Sequence, residues 1–225
     1  MSKPVIECVS LSKQYKSRGR IIEALKNINL KVEKAEFILI KGRSGAGKST
    51  LLYLIAGLIV PTSGTVRVDE QIINKLNNKS LSYLLLNKIG IIFQNYNLLP
   101  TYNVYENIEI ALAPKNLSKK EIQKLVMPYF EQFHLSDKID LLPEELSIGQ
   151  QQKVAIIRTL VKQPSIILAD EPTASVDYET AEEILKCLSN MRNEKGITVL
   201  LATHGIVPDN IADKMVMLEE GLLIN

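Results

Sequence analysis

The sequence predicts an α/β fold: a parallel-sheet core, an antiparallel β-subdomain at its N-terminal side, and an α-helical subdomain inserted in the middle. Three observations predict it. A glycine-rich loop, Gly42-Arg43-Ser44-Gly45-Ala46-Gly47-Lys48-Ser49-Thr50, stands between the apolar run Phe37-Ile38-Leu39-Ile40 and the helical stretch Leu51-Leu52-Tyr53-Leu54-Ile55-Ala56-Gly57. Short continuous apolar runs, the mark of strands buried on both faces, recur at Ile89-Gly90-Ile91-Ile92-Phe93, Ser165-Ile166-Ile167-Leu168-Ala169 and Ile197-Thr198-Val199-Leu200-Leu201-Ala202. Between residues 95 and 160 these runs give way to helical spacing broken by prolines.

Taken in order, Val5-Ile6-Glu7-Cys8-Val9 reads as a first strand. Residues 15–25 read as a hairpin around the polar turn Ser17-Arg18-Gly19-Arg20, and Ile28-Asn29-Leu30-Lys31-Val32 alternates like a strand with one wet face. This antiparallel part precedes the glycine loop. Pro61-Thr62-Ser63-Gly64 is a turn before another alternating strand, Thr65-Val66-Arg67-Val68-Asp69, and residues 74–88 read as helix. Ser118 and Glu121 have capping-box spacing, opening a helix toward Phe133 that Pro128 is expected to kink or interrupt. Asp177 is placed to cap a helix whose Ala181, Ile184, Leu185, Leu188 and Met191 form one packing stripe. Lys214-Met215-Val216-Met217-Leu218 gives a last strand before a turn at Gly221.

With 225 residues the chain can bury a real core as one domain of two lobes. A scattered net charge of +2 exerts no strong pull on nucleic acid, and no nucleic-acid partner is expected. Met1-Ser2-Lys3-Pro4-Val5 lacks the apolar stretch of a signal peptide, and no apolar window reaches membrane-spanning length. Cys8 and Cys187 lie far apart, without metal or redox spacing, and read as buried free thiols. The expectation is a soluble cytosolic protein.

The glycine loop fits the P-loop pattern of Gly, four residues, then Gly-Lys-Ser/Thr. Its glycines let backbone N–H groups converge on phosphate oxygens at a helix N-terminus. Lys48 is then expected to reach the β- and γ-phosphates, and the Ser49 hydroxyl to ligate Mg²⁺. Three apolar strands end on polar residues: Gln94, the pair Asp170-Glu171, and His204. Ligands of open parallel sheets sit beyond the carboxyl ends of the strands, so these residues are expected around the same phosphates. Asp170 would help hold Mg²⁺ and Glu171 would polarise the attacking water. Gln94 would place that water or the metal, and His204 would link the γ-phosphate to Glu171. His134, alone in the helical part, receives no role.

The run Leu146-Ser147-Ile148-Gly149-Gln150-Gln151-Gln152-Lys153-Val154 resembles the signature of the ATP-binding cassette (ABC) family, Leu-Ser-Gly-Gly-Gln. The resemblance covers essentially the whole chain. Tyr15 matches the aromatic that stacks on adenine, Gln94 the Q-loop, Asp170 and Glu171 the Walker B pair, Ala174-Ser175-Val176-Asp177 the D-loop, and His204 the H-loop. It implies a P-loop NTPase (RecA-like) core, residues 1–94 and 161–225, with the helical subdomain at 95–160. It also implies ATP and Mg²⁺ as cofactors and a head-to-tail homodimer on ATP binding. In that dimer Ser147, Gly149 and Gln150 of one copy face the P-loop of the other. Ser147 and Gln150 also have capping-box spacing, which by itself fits an ordinary helix start.

Two residues depart from the family pattern. Ile148 replaces the first signature glycine: it fits a helical position at a cost of roughly 0.5 kcal/mol, but would be strained at positive φ. Gly205 follows the histidine where many relatives carry Asp. The run from Ile89 to Thr101 and the segment Pro143-Glu144-Glu145-Leu146-Ser147 resemble the MacB/LolD-type branch. That branch implies an integral membrane permease as partner, with the groove near residues 96–105 as its docking region. It places the chain in the cytoplasm, peripheral on the inner face of the cell membrane. An FtsE-like mechanical role without transport is the alternative.

Overall fold

The computed structural model describes residues 3–17, 19–205 and 207–224. Strands β1 (Ile6–Ser17) and β2 (Arg20–Val32) form one long antiparallel hairpin, where the sequence suggested separate shorter pieces. Arg18, in the predicted turn, lies outside the described residues. Bulges explain the difference. The register shifts between Cys8 and Gln14, and Ser10 and Asn27 take positive φ, so the period-two alternation breaks while pairing continues. Side chains satisfy the displaced backbone: Ser10 N–H donates to Asn29 Oδ1 and Asn27 N–H to Ser12 Oγ, each at 2.9 Å.

β3 (Phe37–Lys41) carries the chain into the core and α1 (Lys48–Ile55) follows. The chain then returns to the first sheet as β4 (Ser63–Val68) and the short β5 (Gln71–Ile72). The antiparallel sheet, ordered β2-β1-β4-β5, therefore takes strands from both sides of the glycine loop. A 3₁₀ turn precedes α2 (Asn78–Asn87), whose cap is Asn77, so the helical stretch expected from residue 74 is two elements. After β6 (Ile89–Ile92) come α3 (Val104–Glu109), α4 (Lys119–Gln132) and α5 (Ile148–Leu160). β7 (Ile166–Asp170), α6 (Tyr178–Lys195), β8 (Thr198–Thr203), β9 (Lys214–Glu219) and β10 (Leu222–Ile224) complete the order.

α4 runs through Pro128 without the expected interruption. Ile122, Val126 and Phe130 bury one face, while Pro128 and Lys124 lie exposed on the other. The Lys124 carbonyl that loses its donor thus lies on the exposed face, and burial of the apolar stripe keeps the helix continuous. Ser118 and Glu121 form the expected capping box, and Asp177 Oδ1 accepts from Thr180 N–H at 2.9 Å as the α6 cap.

The second sheet is ordered β10-β9-β3-β8-β7-β6. β9, β3, β8, β7 and β6 are parallel, and β10 is an antiparallel edge strand. Its register sets the site. Lys41 pairs with Thr203, Asp170 with Ala202 and Ile92 with Ala169, so these strands end along one rim. Alternation along β3 divides the core: Phe37 and Leu39 pack toward the inserted helices and α6, while Ile38 and Ile40 pack toward α1 and the antiparallel sheet. Cys8 and Cys187 are buried free thiols, and burial pushes them up to about 12 and about 11.

Candidate active site

The P-loop crosses the rim between β3 and α1. α1 begins at Lys48, so its N-cap is Gly47, in the left-handed region at φ 104°. A Cβ there would lie 2.4 Å from the Ala24 carbonyl oxygen on β2, and one at Gly42 would lie 2.3 Å from the Leu218 carbonyl oxygen on β9. Close backbone approach therefore fixes both glycines, and at Gly47 the left-handed conformation requires glycine as well. The Lys48 ammonium is almost fully buried and donates to the carbonyl oxygens of Gly42 (2.8 Å) and Arg43 (3.1 Å).

Glu171 is the hub of the site. Its Oε1 lies 3.2 Å from Lys48 Nζ and 2.8 Å from His204 Nδ1, and its Oε2 accepts from the His204 backbone N–H at 3.2 Å. Burial pushes the Glu171 carboxyl up, but the hydrogen bonds from His204 and Lys48 and the lysine charge outweigh it and hold the group below its usual range. An ionised carboxylate only accepts, so His204 Nδ1 carries the proton in this contact. Asp170 is engaged differently. Ser49 Oγ donates to its Oδ1 at 2.9 Å and Tyr53 OH to its Oδ2 at 3.0 Å. Burial raises its carboxyl, the Ser49 and Tyr53 bonds and the Lys48 charge only partly offset that, and the neighbouring Glu171 charge adds to it.

A cleft of about 190 Å³ is lined by Ser44, Gly45, Gly47, Lys48, Ser49 and Thr50, closed by Ala24, Gln94, Glu171 and His204. Larger hollows adjoin it: Arg43 and Ala46 line one of about 630 Å³, and Gly42 lines one of about 470 Å³. The smallest of the three holds the convergent polar groups, and convergence identifies the site better than volume. Tyr15 lies half exposed on β1, opposite Ile22 of the strand that supplies Ala24. Ser147, Gly149 and Gln150 do not line the cleft. Ser147 caps α5, with Gln150 closing the capping box, and Ile148 is the first residue of that helix without positive φ. Of the two backbone states open to Ile148, the chain adopts the unstrained one.

Sequence reasoning missed Tyr53, although its spacing was legible: Ser49 and Tyr53 are one helical turn apart and grip the two oxygens of one carboxylate. It also missed Arg158 on α5, whose guanidinium donates to the carbonyl oxygens of Asn97 (2.8 Å) and Tyr96 (2.7 Å) just beyond Gln94. No sequence signal connects that pair. Among the described residues no group of three or more His, Cys, Asp or Glu side chains converges as a metal site. The Ser49 hydroxyl and Asp170 carboxylate are instead a hard two-oxygen set, suited to a Mg²⁺ ion that keeps waters and takes phosphate oxygens.

The description "ABC transporter" belongs to the family model that matches residues 25–174. Methionine import ATP-binding protein MetN 1 of Listeria monocytogenes is 42% identical over 221 residues, covering 98% of this chain. The chain spans 65% of that relative's length. The ABC transporter ATP-binding protein YtrE of Bacillus subtilis is 40% identical over 208 residues, 92% of this chain and 90% of that protein. Among solved structures, the dimeric post-hydrolysis state of the ATP-binding cassette MJ0796 bound to ADP and Pi superposes with a TM-score of 0.93 at 37% identity, covering 98% of this chain and 97% of that one. The chain belongs to the ABC transporter family, as an ATP-binding cassette.

Proposed function

We propose that the chain is the ATP-hydrolysing subunit of an ABC transporter, closing head to tail with a second copy around two ATP molecules to drive a separate integral membrane permease. Its core is residues 1–94 and 161–225, and its helical subdomain 95–160. One observation carries the reading: at the P-loop rim Ser49 contacts Asp170, and Lys48 and His204 both contact Glu171.

Phosphoryl transfer needs mainly positioning and charge stabilisation. The loop N–H groups and Lys48 bind the β- and γ-phosphates, and Tyr15 supports the adenine. Ser49 and Asp170, with Gln94 at the cleft edge, would hold Mg²⁺, which when bound neutralises charge on the β/γ oxygens. Glu171, kept ionised by its partners, accepts a hydrogen bond from the attacking water and polarises it. His204 holds that carboxylate and borders the γ-phosphate position. The cleft of one chain contains no signature residue. The α5 N-terminus, with Ser147, Gly149 and Gln150, supplies its free N–H groups to the ATP of the second copy.

The MacB/LolD-type reading, export or extraction of a lipoprotein, peptide or drug, rests on the segments around Gln94 and ahead of Ser147. A hollow of about 360 Å³ lined by Tyr96, Leu98, Pro100, Pro143, Glu144 and Gln151 suits a permease helix there. The 42% identity to MetN 1 favours methionine import as a second reading. An FtsE-like mechanical role uses the same motor with no cargo. No helix among the described residues is long and apolar enough to cross a membrane, so the proposed placement on the inner membrane face depends on the permease. Affinity purification in mild detergent separates these readings by the permease recovered.

Glu171→Gln tests the motor itself. Losing the group that polarises water lowers turnover about a hundredfold or more, while ATP and Mg²⁺ convert the monomer to a dimer in light scattering. A variant that stays monomeric with saturating ATP and Mg²⁺ refutes the interface, and one that keeps wild-type turnover refutes the role of Glu171.

A further inference from the structure

We propose that Gln152 is a positioning residue, tying the helix that carries the signature to the backbone that aims Glu171. The inference rests on the role of Glu171 given above and adds a residue that no motif assigns.

Gln152 lies on α5, five residues after the Ser147 cap, and is 1% exposed. Its Nε2 donates to the Pro172 carbonyl oxygen at 2.8 Å. Its Oε1 is buried and has no hydrogen-bond partner among the described residues. Turning the amide over would set oxygen against oxygen at Pro172, so the assignment is fixed by chemistry. A buried amide satisfied at one end is a poor way to fill a core, where an apolar side chain of equal size costs less. The group is explained by what its donor holds.

Pro172 follows Glu171 directly. Glu171 stands at φ 49°, a region that non-glycine residues rarely occupy, and it precedes a proline, which narrows its backbone further. Such a conformation persists only where the surroundings over-determine it. β8 supplies one hold, through Glu171 N–H to the Ala202 carbonyl oxygen at 2.9 Å, and the turn another, through Ala174 N–H to the Glu171 carbonyl oxygen at 3.3 Å. Gln152 supplies a hold from the α5 side. A helix is stiff over five residues, so a shift of the α5 N-terminus on engaging the second ATP moves the Pro172 carbonyl with it. That motion turns the Glu171 carboxylate relative to Lys48 and His204. Signature engagement in one site is thereby linked to the catalytic carboxylate of the other.

Gln152→Met keeps the volume and removes the donor. The expected result is a kcat about tenfold lower, with KM and ATP affinity within about twofold and the thermal midpoint within a few degrees. In the Glu171→Gln background the same change should lower residual turnover no further, because both act through one carboxylate. Unchanged kcat in Gln152→Met overturns the inference. So does a parallel loss of ATP affinity and thermal stability, which marks packing alone, and so does an additive loss in the double variant. Wild-type turnover in Glu171→Gln alone overturns instead the reading on which the inference stands.

Discussion

Tyr53→Phe isolates the least anticipated contact of the site. The variant keeps the ring, which lies 6.1 Å from Phe93 at 54°, and deletes only the hydroxyl that donates to Asp170 Oδ2. A hydrogen bond to a charged acceptor is worth roughly 1.5–3 kcal/mol, and partial access of water to this half-buried pair reduces that to about 1–2. At about 2–4 °C per kcal/mol for a chain of this size, the thermal midpoint should fall by about 2–8 °C at neutral pH. The pH dependence is the sharper test. Burial raises the Asp170 carboxyl above its ordinary 3.8, so over the interval between 3.8 and the raised value the folded state binds the proton more readily and stability falls as pH rises. The Tyr53 donor favours the ionised form, so deleting it steepens that fall and leaves the protonated state nearly unchanged. Calorimetry of both proteins across this interval should show the gap opening with rising pH and closing below it. Equal midpoints at neutral pH, or a gap that persists on the acid side, would refute the reasoning and make the hydroxyl incidental to Asp170.

Two further outcomes follow from the same geometry. Ile148→Gly should keep turnover within about twofold and lower stability by roughly 0.5 kcal/mol, because Ile148 is already helical and half exposed and glycine is the poorer helix former; turnover several times faster would show that the side chain obstructs the interface. Lys162 donates to the Leu85 and Ile89 carbonyl oxygens at 3.2 and 3.4 Å, and burial, with Lys115 and Arg158 nearby, lowers its ammonium to about 8. The folded state therefore sheds this proton first. Stability relative to Lys162→Met should rise as pH climbs from about 8 toward 10.5, and urea titrations showing no such rise would place the ammonium in water.

Much of the site was legible because the parallel strands that carry it are continuous apolar runs with a polar residue at the end. Gln94, Asp170, Glu171 and His204 could be expected on one rim before their register was known, since all ligand-facing ends of a parallel sheet share a side. Long-range backbone contacts left no such trace. The hairpin of β1 and β2 was read in pieces because bulges at Ser10 and Asn27 interrupt alternation without ending the strand. β10 has three residues, too few to show a period. Pro128 was expected to kink or interrupt a helix because local propensity was visible, whereas the burial of Val126 and Phe130 that keeps the helix continuous was not. Arg158 and Gln152 escaped for a common reason: each donates to main-chain oxygens, and carbonyl groups carry no sequence identity.

Those two side chains change how α5 is understood. Read locally, its start is an ordinary capping box with an isoleucine in the first turn, and its middle is a core stripe of Val154, Ile156 and Ile157. Yet Arg158 grips the segment after Gln94 and Gln152 grips the segment after Glu171, so one rigid element touches the backbone behind two strand-end residues of the cleft. Neither residue lines the cleft, and neither is needed to bind a phosphate. On the proposed function, their placement serves a helix whose N-terminus engages a second nucleotide. In the proposed dimer a displacement at Ser147 reaches Gln94 and Glu171 through side chains already in contact with their backbones. A cassette that only stored ATP would have no use for that connection; one that must time hydrolysis to closure would.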